Sequence, residues 1–437
     1  MSEQPTSAQG DSAVPRRSWY LLGVLTMSYV MALVDRKLPF ILVEPIKHDL
    51  GLSDTQIGLL TGAMFTVVYT TCSIPVAKLA DRYSRKWVMV ASLTVWSALT
   101  SAGGLATNVW QLGIARAGVA LGESGSMPAS HSMISASFPE SRRALAAGIF
   151  SAGAPIGMLL GLAGGGILVD LWDWRTAMIV VGAPGLVIAL LMAFTVREPI
   201  RPAVSVTEPK IGVWPAVKTL LARPSFRHLA LAGMVSSCAG AASQTFGPAF
   251  IMRTHGLSAG ETGVSYGLLV GVGGLVGALL GGYVSDRTRS RDERIGLWFV
   301  AAVIALGGVL QIAAWAAPNY GLFLLFMALP QLALMVNVGT VYPAVQALAG
   351  VRMRAMSIAI YLFLVVGFGH ALGPVLAGLL SDMLAPTYGV RSLEIGLIIL
   401  SALKLWAAAH YFIAAFKLPG DLVLTKRHQS EQLLATA

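Results

Sequence analysis

Charge is what this sequence has least of. Of 437 residues only 12% are Asp, Glu, Lys or Arg, while 55% are hydrophobic and the mean hydropathy is +0.70. Soluble domains carry about 25% charged residues, so this chain lacks the polar side chains to cover a water-facing surface of its own size. The same numbers exclude disorder and a collagen-like fibre. Cysteine is scarcer still. Cys72 and Cys238 both stand inside apolar stretches, which excludes a disulfide scaffold. Alternating segments of about ten residues, the mark of a membrane β-barrel, do not recur. Also missing are His-Glu-x2-His, Gly-x-Ser-x-Gly, clustered Cys and His, and the Gly-x4-Gly-Lys-Ser/Thr loop of ATP-driven machines. No enzyme, cofactor or metal is therefore expected, and no segment between apolar runs reads as the pore loop of a channel.

What is present is a series of apolar runs long enough to cross a bilayer, about 20 residues each. Twelve are expected, near 18–43, 55–80, 87–107, 109–137, 144–169, 175–196, 227–252, 261–284, 295–317, 320–349, 355–382 and 392–416. The expectation is an all-α polytopic membrane protein of twelve transmembrane helices in two six-helix halves. Residues 1–17 read as a polar cytoplasmic tail, 18–197 as the first bundle, 198–226 as a proline-rich cytoplasmic linker, 227–417 as the second bundle and 418–437 as a closing tail. The net charge of +10 first suggests nucleic acid. Placed along the chain, 23 of the 31 basic residues fall in segments on the side of the N-terminus and four on the other. This asymmetry puts both termini in the cytoplasm, in a plasma or bacterial inner membrane, and removes the nucleic-acid reading.

The loop after the second run reads Ala77-Lys-Leu-Ala-Asp81-Arg82-Tyr-Ser84-Arg85-Lys86. The loop after the eighth reads Gly282-Tyr-Val-Ser-Asp286-Arg287-Thr-Arg-Ser-Arg291. A pattern repeated at equivalent places in two six-helix halves is a mark of secondary transporters, whose substrate site lies near the midplane between the halves. Here the chain resembles the major facilitator superfamily. Both loops match its cytoplasmic gate motif, with Ala77 and Ser84 replacing glycines in the first copy. Gly148-x4-Gly153-Ala-Pro155-Ile-Gly157 is similar to the family's antiporter-type motif. The resemblance assigns Asp81, Arg82, Arg85, Lys86, Asp286, Arg287 and Arg291 to a gate remote from substrate.

Ionisable groups inside a span are costly to keep and point to function. The first span carries Asp35-Arg36 with Lys37 beside them; the fourth carries Arg116 and Glu123. Counted at 1.5 Å per residue, Asp35 and Arg116 lie at one depth, roughly 10–12 Å inside the outer boundary, and are expected partners. Glu123 lies two turns deeper on the face of Arg116, within reach of Arg36. A carboxylate gains proton affinity on desolvation and loses it beside a guanidinium, which itself stays charged. Asp35 and Glu123 are therefore expected to carry protons, with Arg36 and Arg116 as charge partners and anion ligands. A static ion-pair network is the competing reading.

Arg116-Ala-Gly-Val-Ala-Leu-Gly122-Glu123-Ser124, together with Asp35-Arg36, is similar to the spinster branch of that superfamily, departing at Ala120 and Ser124. The resemblance implies proton-coupled movement of an anionic amphiphile such as a lysophospholipid or sphingosine-1-phosphate-like lipid. The Gly-Glu pair also suits symporters of small organic anions such as sugar acids, and a membrane receptor or channel is the alternative from another class. The second half offers neutral polar groups, among them Asn337, Tyr342 and His370 as substrate ligands, and apolar faces including Phe246, Phe363 and Phe368. His131 and His410 read as structural and Lys404 as snorkelling or packed. Partners are then substrate, protons and membrane lipids, for a chain acting as a monomer.

Overall fold

The computed structural model describes residues 14–200, 212–288, 292–350 and 353–436, which are helical almost throughout. Twelve spanning helices follow in order. In the first half these are α1 (Arg16–Ile41), α2 (Asp54–Gly58, a π-turn Leu59–Ala63, then Met64–Arg82), α3 (Arg85–Gly103), α4 (Val109–Glu123 and Ser126–Ser137), α5 (Glu140–Ser151 and Gly153–Leu171) and α6 (Trp174–Thr195). In the second they are α7 (Pro224–His255), α8 (Ala259–Thr288), α9 (Glu293–Trp315), α10 (Tyr320–Ala349), α11 (Arg354–Leu362, a π-turn Phe363–Phe368, then Gly369–Tyr388) and α12 (Ser392–Thr436). This is the expected twelve-span, two-half architecture, and it makes the chain an integral membrane protein. Seven helical stretches among the described residues are apolar enough to qualify by length and composition alone. Spans such as α4 carry the charges that lower their hydropathy.

Two segments differ from expectation. The 198–226 connection contains a helix, Val213–Leu221, which buries Ala216 and Leu220 against α7, α10 and the start of α11. Beyond residue 417 the chain continues as α12. Its apolar period persists through Leu418 and Leu422, and Asp421 accepts bonds from the N–H and hydroxyl of Ser225 at the start of α7 (2.8 and 2.5 Å).

The halves meet most tightly at the face where α2 begins and α1 ends, the far face. There α2 packs on α11 and α5 on α8, with backbone against backbone. A Cβ on Gly58 would stand 2.3 Å from the Pro374 carbonyl oxygen, on Gly378 2.1 Å from that of Asp54, on Gly166 2.2 Å from that of Ala259, and on Gly263 2.2 Å from that of Leu162. Ser53 and Ser258 open α2 and α8 as reciprocal capping boxes with Gln56 and Glu261. Each helix start then receives a carboxylate from the other half. Asp382 of α11 accepts from the N–H groups of Asp54 and Thr55 (3.1 and 2.8 Å) and the Thr55 hydroxyl. Asp170 of α5 accepts from the Ser258 hydroxyl and the N–H groups of Ala259 and Gly260 (2.6, 3.1 and 2.8 Å). A helix N-terminus favours an anion through its free N–H groups and its dipole. Arg253 of α7 adds a fork to Asp54 (2.7 and 2.8 Å) and bonds Glu44, while Lys47 and Ser381 also hold Asp54.

Candidate functional site

Between the halves lies a cavity of about 320 Å³. The first half supplies Leu33, Arg36, Lys37 and Phe40 from α1, a three-to-four residue spacing that keeps them on one face. Phe65 and Tyr69 of α2 and Arg116 of α4 join them. The second half contributes neutral polar groups, including Ser236, Ser237, Gln244, Tyr342, Tyr361 and His370.

The sequence-predicted charges do come together, with one pairing altered. Arg36 Nε donates to Glu123 Oε2 at 2.5 Å, and its guanidinium stacks 4.3 Å from the Tyr69 ring centroid. Glu123 is fully buried. It stands where α4 breaks, after Gly122, whose missing Cβ lets the backbone of Trp96 approach. Arg116 and Asp35 are neighbours, as their depths require, but the expected carboxylate pair does not form. Arg116 Nη1 donates instead to the backbone oxygen of Asp35 at 3.3 Å and lies 4.9 Å from the Phe65 ring. The Asp35 side chain turns away from the cavity, since residues 33, 36, 37 and 40 take the cavity face. It is 1% exposed, and neither of its oxygens completes a hydrogen bond among the described residues. Thr100 and Trp96 of α3 face it. An acid buried without a completed bond is costly to keep charged, because unpaired burial of a charge is strongly unfavourable.

Tyr342 and His370 line the cavity as expected; the side chain of Asn337 lies outside the described residues. Phe246 is fully buried elsewhere, and Phe363 and Phe368 are exposed, so the aromatic lining comes from Phe40, Phe65, Tyr69, Tyr342 and Tyr361 instead. Lys404 is buried, the packed one of its two expected states. His410 bonds His228 at 2.7 Å.

At the opposite, near face, Arg82 and Arg287 are exposed and Lys86 lies beside the Trp87 ring. The side chains of Asp81 and Asp286, and the whole of Arg291, lie outside the described residues. Arg85 is buried and spent within its own half, on Ser132, the Pro199 carbonyl and Glu198. Ser84, which departs from the gate motif, caps α3 and donates to Glu198. Burial would raise the Glu198 carboxyl, but the bonds from Ser84 and from the Arg85 N–H and guanidinium outweigh it and hold Glu198 below the usual carboxylate range.

Sequence reasoning missed the far-face clasps and the place of Lys37. The clasps had a signal. Gly51-Leu-Ser-x4-Gly58-x3-Gly62 recurs as Gly256-Leu-Ser-x4-Gly263-x3-Gly267, at the same offset as the two gate loops. Gly51 and Gly256 take positive φ to end the preceding helix, and Ser53 and Ser258 start the next.

The family model described as Major Facilitator Superfamily matches residues 25–374. An MFS-type efflux pump of Mycolicibacterium smegmatis is 37% identical over 417 residues, covering 94% of this chain and 95% of that one. A hexuronate transporter of Bacillus subtilis is 24% identical over 398 residues, 87% of this chain and 92% of that protein. Among solved structures, a bacterial homolog of the human lysosomal transporter spinster, in an inward-facing and unoccupied conformation, superposes with a TM-score of 0.85 at 27% identity, covering 93% of this chain and 98% of that one.

Proposed function

This chain belongs to the Major Facilitator Superfamily and is a transporter, not an enzyme; from that premise we propose that it moves an anionic amphiphile, a lysophospholipid or sphingosine-1-phosphate-like lipid, by proton-coupled alternating access. The observation that carries the coupling is the buried pair of acids beside the cavity. Glu123 is held by Arg36, and Asp35 is left without a bond behind Arg116. A group that changes partners as the halves rock changes its proton affinity with them. The likeness to the spinster homolog structure supports the amphiphile, as does a lining whose Arg and Lys side chains all come from the first half while aromatic rings line both. In this reading both termini are cytoplasmic, the membrane is the plasma or bacterial inner membrane, the protein works as a monomer, and the sealed far face makes the conformation inward-facing. The gate residues of the near face then engage only when the far face opens.

A second reading, a symporter of a small organic anion such as a sugar acid, is favoured by the cavity volume. About 320 Å³ is at the lower end of ligand pockets, roughly 300–1,000 Å³, and holds a sugar acid whole but only the headgroup of a lysolipid. One experiment tests both. Proteoliposomes are given a pH gradient and either an anionic lysolipid or a hexuronate. The gradient is expected to drive lysolipid accumulation; lysolipid movement that ignores it removes the coupling, and gradient-driven hexuronate uptake alone selects the second reading. Arg116→Ala is expected to weaken binding of an anionic lysolipid about tenfold or more, the scale of a lost charged hydrogen bond, and to spare an uncharged lipid of equal chain length. Equal losses would strip Arg116 of a headgroup role.

A further inference from the structure

Not every cation at the cavity is equally available. Arg36 is spent on Glu123. Arg116 donates to the Asp35 carbonyl and has the Asp35 and Glu123 carboxylates in its field. Lys37 differs. Its ammonium donates to the amide oxygen of Gln244 across the gap between halves, at 2.5 Å, and stands 4.7 Å from the Phe40 ring centroid. No carboxylate lies within ion-pair distance of it among the described residues. An ammonium has three donors; one neutral amide oxygen neither fills them nor balances the charge. The groups that line the same space from the second half, Ser236, Ser237, Thr245 and His370, are neutral or weakly basic. Among the described residues, the cavity cation that the first half leaves without a carboxylate is therefore Lys37, which is in bonded contact with the other half.

We infer that Lys37, with Gln244, is the seat of the substrate's oxyanion, a carboxylate or phosphate. This inference rests on the transporter reading above and places the anion one residue beyond Arg36, against the second half. The chemistry of the exchange is simple. The arriving oxygen takes the place of the Gln244 amide oxygen on the ammonium. The freed amide rotates and offers its NH2 to the same anion, since one side chain carries both an acceptor and two donors. A direct lysine–glutamine bond between halves is thereby replaced by a ligand held from both sides. Ligand binding and the relative position of α1 and α7 become linked through a single side-chain exchange.

The test is equilibrium binding to the full-length protein in nanodiscs, using lysophosphatidylglycerol, a monoacylglycerol of the same chain length, and D-glucuronate. Lys37→Gln is expected to weaken the charged probes about tenfold or more and leave the monoacylglycerol unchanged, and Lys37→Arg is expected to restore them. Gln244→Glu supplies a resident carboxylate to Lys37 and is expected to mimic the loss without removing the lysine. Unchanged anion affinity in Lys37→Gln, or an equal loss for charged and uncharged probes, overturns the inference. Glucuronate binding that depends on Lys37 while lysolipid binding is absent keeps the inference and overturns the amphiphile reading. Absence of binding by both anions to the wild type overturns both.

Discussion

Asp35→Asn is expected to abolish gradient-driven accumulation while leaving the protein folded and able to exchange substrate. One coupled proton supports about tenfold accumulation per pH unit, so at a gradient of about two units the ratio should fall from about a hundredfold to unity. Substrate counterflow without a gradient should persist, because Asp35 does not line the cavity. The substitution breaks no completed hydrogen bond of the carboxyl oxygens, and exchanges a buried acid for a neutral amide that can still meet Thr100 and Trp96. The melting temperature should therefore hold or rise. Accumulation equal to that of the wild type would remove Asp35 from coupling. Glu123→Gln should also end accumulation, but at a cost in stability. It leaves the Arg36 guanidinium without its carboxylate, and breaking a buried pair costs about 3–5 kcal/mol. The part-exposed Arg36 points to the lower end of that range. Opposite effects of the two variants on stability, with the same effect on coupling, separate a proton site from a static ion-pair network.

Opening of the far face should become easier when the two crossed carboxylates are neutralised. Asp170→Asn with Asp382→Asn keeps size and an acceptor oxygen at each helix start but removes the charge that the helix N-termini and their N–H groups favour. Charge-assisted bonds are worth about 1.5–3 kcal/mol each, so the open-to-sealed ratio should rise at least about tenfold. The measurement uses Thr61→Cys, which lines the cavity, in a Cys72→Ser, Cys238→Ser background. A membrane-impermeant maleimide added on the far side should label it at least about tenfold faster in the double variant. Equal labelling rates would mean that the glycine-lined backbone contacts seal the face without the clasps.

Much of this was legible in the sequence because membrane helices obey a solvent that allows few alternatives. Run length gave the spans, and scarce charge made Asp35, Arg36, Arg116 and Glu123 conspicuous. Counting rise per residue even placed Arg36 against Glu123. The count failed at Asp35, because depth fixes neighbourhood but not rotation about the helix. The cavity face of α1 belongs to Leu33, Arg36, Lys37 and Phe40, and that turns Asp35 towards α3 and leaves Arg116 only its carbonyl. Lys37 was overlooked for a related reason. Its partner, Gln244, lies 207 residues away in the other half, and no local pattern announces a contact across the gap between the halves. The apolar Phe363 and Phe368 misled in the opposite direction, since apolarity alone does not bury an aromatic, and both are exposed.

The glycine-lined seal of the far face has a consequence for the thermal signature of turnover. Surfaces built from Gly58, Gly166, Gly263 and Gly378 against carbonyl oxygens hold almost no rotamers to freeze, and glycine side chains contribute no ordering entropy when they close. At these contacts, the Arg253, Lys47 and Glu44 side chains aside, shutting the carrier therefore carries little of the usual entropic penalty. What resists opening is concentrated in a few strong bonds at the starts of α2 and α8 and in the Arg253 fork. Rates limited by this step should climb steeply with temperature, as an enthalpic barrier requires, and the carrier should be sluggish in the cold for reasons that have nothing to do with the fluidity of the surrounding lipid.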